Sequence, residues 1–491
     1  MHKIKLYNES WRPDRNSVIP LFKQIFDFVI EKISSGEWSI GSRIPTQMEM
    51  AKFFGVNRST ILEVYDELKA EGLVDSQKSK GTIIVNNTWS LLTSNAPTDW
   101  NKKISRGMHK PNLDIIKIIN DVETEKGFIR LGAGELARDM YPSEYLKQSL
   151  HSVAENIDYM GYDEPKGLLP LRLEIVKYLR NKGIDTDESK ILVVSGGLQA
   201  LNLISMGLLH RGSTILTEKP TYLKSLTLFD SHGINLTGVD MDNKGINLEH
   251  LIRKASLKKP ELLYTIPNYH NPSGILMTTD RRNDLLDLSV KERLPIIEDD
   301  VYGELWYDAP PPNPIKALDR NGTVLYIGSV SKTLSAGLRI GWIVGNENVI
   351  NRLADIKMQT DYGSSNIAQW LCYEFFRNGA YEKFSAELRT RLKKKRDLVL
   401  QLLSEHLCEI ATWNVPSGGL YIWVKLNSEF SPYKLFEKCY DIGIVLNTGS
   451  LYDESNKNAL RISFAYATED ELRIGIGKLA ELLKNELVIK R

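Results

Sequence analysis

From about residue 118 onward the chain alternates short apolar runs with stretches of helical period, and this alternation limits the fold more than any other feature of the sequence. Ile191-Leu-Val-Val194 precedes an amphipathic stretch from Leu198 to Leu209; Thr214-Ile-Leu216, Leu294-Pro-Ile-Ile297 and Val324-Leu-Tyr-Ile327 continue the pattern. A strand that feeds a helix and then another strand returns parallel to the first. The expectation is an α/β domain, a mostly parallel sheet wrapped by helices, with the shorter segments from about 416 to 491 forming a small α+β subdomain.

Ligands of such sheets gather at the carboxyl ends of strands, and four of those ends carry unusual residues. Ser195-Gly-Gly-Leu-Gln199 is a glycine turn entering a helix, suited to a phosphate or to an ordinary N-cap. Pro267-Asn-Tyr-His-Asn-Pro-Ser-Gly274 reads as a tight turn in which Asn271 alone brings a specific donor. In Glu298-Asp-Asp-Val-Tyr302 carboxylates follow a buried run, and a buried carboxylate needs a cation, from an arginine or from a cofactor ring. The stretch from Tyr326 to Trp342 sets Ser329, Ser331 and Arg339 around its one primary amine, Lys332. Each piece alone has a plain structural reading. Together they supply a phosphate cradle, an amine, a carboxylate and an amide, the set required by pyridoxal 5'-phosphate.

The first eighty-odd residues follow a different plan. Leu21, Phe22, Ile25, Phe26, Val29, Ile30 and Ile33 form a helical stripe after Pro20, and Gly36 stops it. Thr46 is placed to cap a second helix from Gln47 to Phe54, ended by Gly55, and a third runs from near Asn57 to Glu71. The tight Gly55-Val56 turn makes this pair a helix-turn-helix with Arg58, Ser59 and Thr60 at the tip of the later helix. Two short strands around Lys78-Ser-Lys80-Gly81 read as a wing with a basic tip. A net charge of +1 excludes a globally basic nucleic-acid binder but leaves room for one basic face. The expected division is a DNA-binding domain over 14–86, a linker over 87–117 where periodicity fades, and a large domain over 118–491.

Cys372, Cys408 and Cys439 have neither metal nor redox spacing, and no apolar run is long enough to span a bilayer. The expectation is a cytoplasmic protein without a metal site or membrane segment.

The N-terminal segment resembles the winged helix-turn-helix of the GntR regulators in Pro20-Leu-Phe-Lys-Gln-Ile25, Gly36-Glu-Trp-Ser-Ile-Gly41 and Val56-Asn-Arg-Ser-Thr-Ile61. Met48 stands where that family usually carries a phosphate-contacting arginine. The chain from about Lys126 to Ile489 resembles the fold-type I aminotransferases, and the combination is similar to the MocR/GabR subfamily of GntR transcriptional regulators. The resemblance implies that Lys332 forms the aldimine with pyridoxal phosphate and shuttles the proton, that Asp299 pairs with the pyridinium nitrogen, and that Tyr302 and Asn271 donate to the phenolic oxygen. It further implies Tyr222 stacked on the ring, Gly197, Leu198, Ser329, Ser331 and Arg339 on the phosphate, and Tyr162 reaching the phosphate of a partner in a homodimer. Arg461 is implied to grip the carboxylate of an amino-acid ligand.

Two functions follow. One is a regulator that binds an operator in double-stranded DNA through Thr46, Arg58, Ser59, Thr60, Lys78, Lys80 and Gly81, and senses an amino-acid or amine effector by aldimine exchange at Lys332. The other is a working aminotransferase with an accessory DNA-binding module. A hydroxyl- and arginine-tipped helix beside a basic wing has no use in a metabolic enzyme, which favours the regulator.

Overall fold

The computed structural model describes residues 4, 6, 10–77, 81–86, 100–107, 109–122, 125, 127–157 and 161–489. The chain forms two compact units, Met1–Met108 and His109–Arg491.

In the N-terminal unit α1 (Leu21–Ser34), α2 (Gln47–Phe54) and α3 (Arg58–Ala70) enclose Ile25, Val29, Phe54, Ile61, Val64 and Leu68. Burying each such side chain contributes about 1.5–3 kcal/mol. The expected capping of α2 is present in full: Glu49 N donates to Thr46 Oγ1, while Glu49 Oε2 accepts from Thr46 N at 2.7 Å. Gly55 ends the helix at φ 66°, a left-handed conformation that only glycine adopts without cost. The wing strands β1 (Val74–Gln77) and β2 (Gly81–Ile84) pair antiparallel, Val74 opposite Ile84.

The large unit is built on an eight-stranded sheet. In chain order, after the short β3 (Ile129–Arg130), its strands are β4 (Ile191–Val194), β5 (Thr214–Lys219), β6 (Asn235–Asp242), β7 (Gly245–Ile246), β8 (Leu262–Thr265), β9 (Ile296–Asp299), β10 (Val324–Ser329) and β11 (Gly341–Val344). The spatial order is β4-β11-β10-β9-β8-β5-β6-β7. β10, β9, β8, β5 and β6 run parallel; β11 lies antiparallel to both its neighbours, and β7 is antiparallel to β6. All side chains of β4, β8, β9, β10 and β11 are buried, as a sheet covered on both faces requires. Glu298 and Asp299 belong to β9 itself and not to the turn after it, so both carboxylates lie inside the sheet.

A second, antiparallel sheet has the order β12 (Ala411–Trp413), β13 (Tyr421–Leu426), β16 (Ala459–Ser463), β15 (Asn447–Thr448). This small subdomain also takes in chain from before the large sheet. β3 pairs parallel with β14 (Ile444–Val445), and the helix Asp114–Asp121 sets Ile115, Ile116 and Ile119 against Trp423 and Tyr452. Lys110 N donates to Ser231 Oγ at 3.0 Å, so the last part of the stretch read as a linker packs into the large unit. Residues 87–99 of that stretch lie outside the described residues.

Candidate functional site

The carboxyl ends of β4, β5, β8, β9 and β10 open on one edge of the sheet, and the unusual residues converge there. Lys332, half-buried just beyond β10, donates from Nζ to the carbonyl of Gly134 at 2.5 Å. Asp299 ends β9 and is 5% exposed. Its Oδ2 accepts from the Tyr264 hydroxyl at 2.6 Å, whereas its Oδ1 is buried with no hydrogen-bond partner. Burial pushes the Asp299 carboxyl up to about 6, against the lowering effect of the Tyr264 hydroxyl and of the Val301 backbone N–H.

A tyrosine-lined cluster surrounds this pair. Asn271 Nδ2 donates to Tyr302 Oη at 3.1 Å, and Tyr302 Oη lies 3.4 Å from Tyr421 Oη. Arg461 NH1 donates to Asn271 Oδ1 at 2.8 Å and NH2 to the carbonyl of Gly132 at 2.6 Å, while its Nε is buried without a partner. The guanidinium stacks 4.0 Å over the Tyr421 ring and 5.0 Å from that of Tyr452. Burial opposes ionisation of the Tyr421 phenol, but the charges of Arg461 and Lys332 outweigh it and bring the phenol below its ordinary value. Tyr222 is half-buried in a short turn of 3-10 helix after β5, and burial together with the Asp299 charge raises its phenol.

The phosphate-suited residues form a second group beside the first. Ser329 Oγ lies 3.0 Å from both Ser331 Oγ and the carbonyl of Ile340. Arg339 NH2 donates to the carbonyl of Ser195 at 2.8 Å, which brings its guanidinium to the turn that opens α4 (Gly197–Leu208). A Cβ on Gly196, at φ 83°, would sit 2.5 Å from Arg339 NH2, so the close approach depends on glycine. The first turn of α4 offers the backbone N–H groups of Gly197 and Leu198. Tyr162 is not part of this cluster: it is 76% exposed, with its ring 4.8 Å from that of Tyr362.

These residues fit pyridoxal 5'-phosphate. A buried carboxylate oxygen without a donor matches a protonated ring nitrogen, an amine follows the neighbouring strand, and hydroxyls, a guanidinium and a helix N-terminus match the phosphate. Tyr264, Tyr421, Tyr452, Asn447, whose Nδ2 donates to Tyr452 Oη at 2.8 Å, and the Gly132 and Gly134 carbonyls join the site without having been singled out from the sequence. The cue for Tyr264 and Tyr421 was a phenol inside an otherwise apolar strand, Leu262-Leu-Tyr-Thr265 and Leu420-Tyr-Ile-Trp423.

On the N-terminal unit Arg58 and Ser59 are exposed at the start of α3 and Thr60 is half-buried. Arg58 NH2 reaches Gln47 Oε1 at 3.4 Å. The hydroxyl of Thr46 is engaged with Glu49 in the cap. Gly81, at φ 77°, lies under the guanidinium of Arg43, which thereby joins the base of the wing. Met48 is 71% exposed on α2. Lys78 and Lys80 lie outside the described residues.

Fold and site define a two-part protein, a winged helix-turn-helix followed by a fold-type I aminotransferase-like unit with a pyridoxal-phosphate site. Residues 21–84 match the gntR family of bacterial regulatory proteins and residues 126–479 match aminotransferase class I and II. The chain is 47% identical to the HTH-type transcriptional regulator YdfD of Bacillus subtilis, over 95% of this chain and 97% of that one. It is 31% identical to the HTH-type transcriptional regulator NorG of Staphylococcus aureus, over 90% and 99%. The crystal structure of Pyrococcus horikoshii kynurenine aminotransferase, in complex with PMP, superposes with a TM-score of 0.73 at 33% identity, covering 77% of this chain and 96% of that one. The chain belongs to the DNA-binding transcriptional regulators that join a GntR helix-turn-helix to an aminotransferase class I and II domain, in the manner of MocR and GabR. No helix among the described residues is long and apolar enough to cross a membrane.

Proposed function

We propose that this regulator works in the cytoplasm as a homodimer, binds its operator through residues 14–86, and reads an amino acid or amine at Lys332 in residues 118–491, the two joined by 87–117. The observation that carries the reading is the unpartnered Asp299 Oδ1 at a strand end next to the one that leads to Lys332, with Arg461 on Asn271 in the same cluster, a set that suits a protonated ring nitrogen, an amine and a carboxylate. When bound, pyridoxal phosphate supplies an electrophilic carbon and an electron-withdrawing ring.

In this reading the chain's own groups divide the work. Asp299 holds a proton at the ring nitrogen, Asn271 and Tyr302 donate to the phenolic oxygen, and Tyr222 covers a ring face. Ser329, Ser331, Arg339 and the N–H groups of Gly197 and Leu198 take the phosphate, joined by Tyr162 of the partner subunit. The Gly134 carbonyl orients Lys332 Nζ, and Arg461 takes the ligand's carboxylate in place of the Gly132 carbonyl. Arg58, Ser59, Thr60, Gly81 and the basic residues Lys78 and Lys80 face the DNA. A ligand that draws Arg461 onto its carboxylate favours one closure of the large unit, and that preference is passed to the DNA-reading helices.

The test is DNA binding by the full chain upstream of its own gene, with and without pyridoxal phosphate and across a panel of amino acids and amines. The cofactor and one ligand together are expected to change the affinity by about 5- to 150-fold. Lys332→Ala is expected to lose both this response and the visible absorbance of the loaded protein. An affinity indifferent to the whole panel, or the same response in Lys332→Ala, overturns the proposal. The complete site also supports a second reading, a working aminotransferase, which multiple turnover with a keto acid at roughly one per second or faster would favour.

A further inference from the structure

The turn after Asp299 carries Tyr302 into the cofactor cluster, but Gly303 and Glu304 into a separate cavity of about 300 Å³. One part of its lining is flat or apolar, Tyr178, Trp306, Tyr381 and the run Pro310-Pro-Pro312, and the rest is polar, with Asn181, Lys182 and Asn268 among it. Its floor lies close to the lysine, because the Tyr381 hydroxyl is 2.9 Å from Thr333 Oγ1, the neighbour of Lys332 in the chain.

Two donors face this space from the helix Ala380–Leu407. Ser385 and Arg389 are four residues apart, so they lie side by side on one face. Ser385 is 3% exposed and its Oγ has no hydrogen-bond partner. The Arg389 guanidinium lies 4.0 Å over the Trp306 ring and reaches acceptors only at long range, the Glu304 carbonyl at 3.5 Å and Glu304 Oε2 at 3.9 Å. Glu304 Oε1 takes the Lys182 ammonium and the Tyr178 hydroxyl, each at 2.9 Å, and Oε2 faces Arg389 without closing to a tight pair. Burial lowers the Arg389 pKa, with Glu304 opposing, as for a cation short of counter-charge.

A buried hydroxyl with no partner is costly, and an acceptor oxygen between it and the Arg389 guanidinium removes that cost while giving the guanidinium a closer partner than Glu304. A phosphate dianion would meet Glu304 and Glu382, which line the same space, so a single negative charge suits it better. We infer that this cavity is a second small-molecule site, taking a small carboxylic acid with a flat apolar body whose carboxylate sits on Arg389 and Ser385 and whose body lies against Trp306 and Tyr381. The site is distinct from the one at Arg461, and the inference does not rest on the cofactor being bound.

The test is calorimetric titration of the full chain, free of cofactor, with phenylacetate and with its uncharged counterpart phenylacetamide. Phenylacetate is expected to bind at least about tenfold more tightly than the amide, the difference made by a charge-assisted pair. Arg389→Gln is expected to remove that preference and Ser385→Ala to weaken phenylacetate several-fold. Ser385→Leu fills the cavity without changing its charge and is expected to abolish binding. Arg461→Gln is expected to leave binding in place. The inference is overturned if phenylacetate fails to bind at millimolar concentration, if binding survives Ser385→Leu, or if it disappears in Arg461→Gln, which would assign the carboxylate to the cofactor site.

Discussion

At the scale of single residues the site depends on what Asp299 lacks. Its Oδ1 has no donor, and burial raises the carboxyl to about 6. The unfolded chain's aspartate titrates near 4, so between about pH 4 and 6 the native state binds more protons than the unfolded state. Stability of the cofactor-free large unit therefore falls as pH rises through that window, by on the order of 3 kcal/mol at most. Asp299→Asn removes the titration. Urea unfolding of the cofactor-free protein should find the variant gaining on the wild type between pH 4 and pH 7, whereas a constant difference would mean that Asp299 is not short of a partner. Glu298, raised by burial to about 7, is present in both proteins and cancels in the comparison. With the cofactor bound the order should reverse, because the carboxylate then has its cation and the amide does not. The residue types at the strand ends were legible in the sequence because they are unusual beside apolar strands. The unpaired state of Asp299 Oδ1 was not, since it depends on Tyr264 taking Oδ2 from a different strand.

At the scale of elements the start of α2 is specified locally. Thr46, Glu49 and Gly55 lie within ten residues, and the helix begins and ends where the sequence predicts. Thr46→Ala removes one half of the capping box and should lower the stability of the N-terminal unit by about 1 kcal/mol in urea unfolding. Because its hydroxyl is engaged with Glu49, much of any loss in DNA affinity should follow from that destabilisation. β4 likewise matches its predicted bounds, as a wholly apolar run before a glycine turn should. β3 and the helix Asp114–Asp121 were not legible. The two residues of β3 become a strand only through Ile444 and Val445, more than three hundred positions later, and the isoleucines of that helix are explained only by Trp423 and Tyr452.

At the scale of the whole molecule the two units have separate cores, one around Ile25, Phe54 and Ile61, the other around the large sheet. A fragment of residues 1–108 should therefore keep a cooperative helical melt, and under the proposed homodimer, in which the large unit would pair two DNA readers, it should bind operator DNA at least about tenfold more weakly than the full chain. Equal affinity for fragment and full chain in a gel-shift titration would remove the case for a dimer that presents both. The sequence by itself determined the order of parts, the α/β class, the winged helix and the residue types offered to a cofactor, because helix caps, glycine turns and strand periodicity act between neighbours in the chain. Tertiary structure alone decided which groups are partnered. The contacts of Arg461 with Asn271 and Gly132, of Lys332 with Gly134, and the under-paired Arg389 beside Ser385 all arise where distant segments meet, and burial makes a missing partner costly only there.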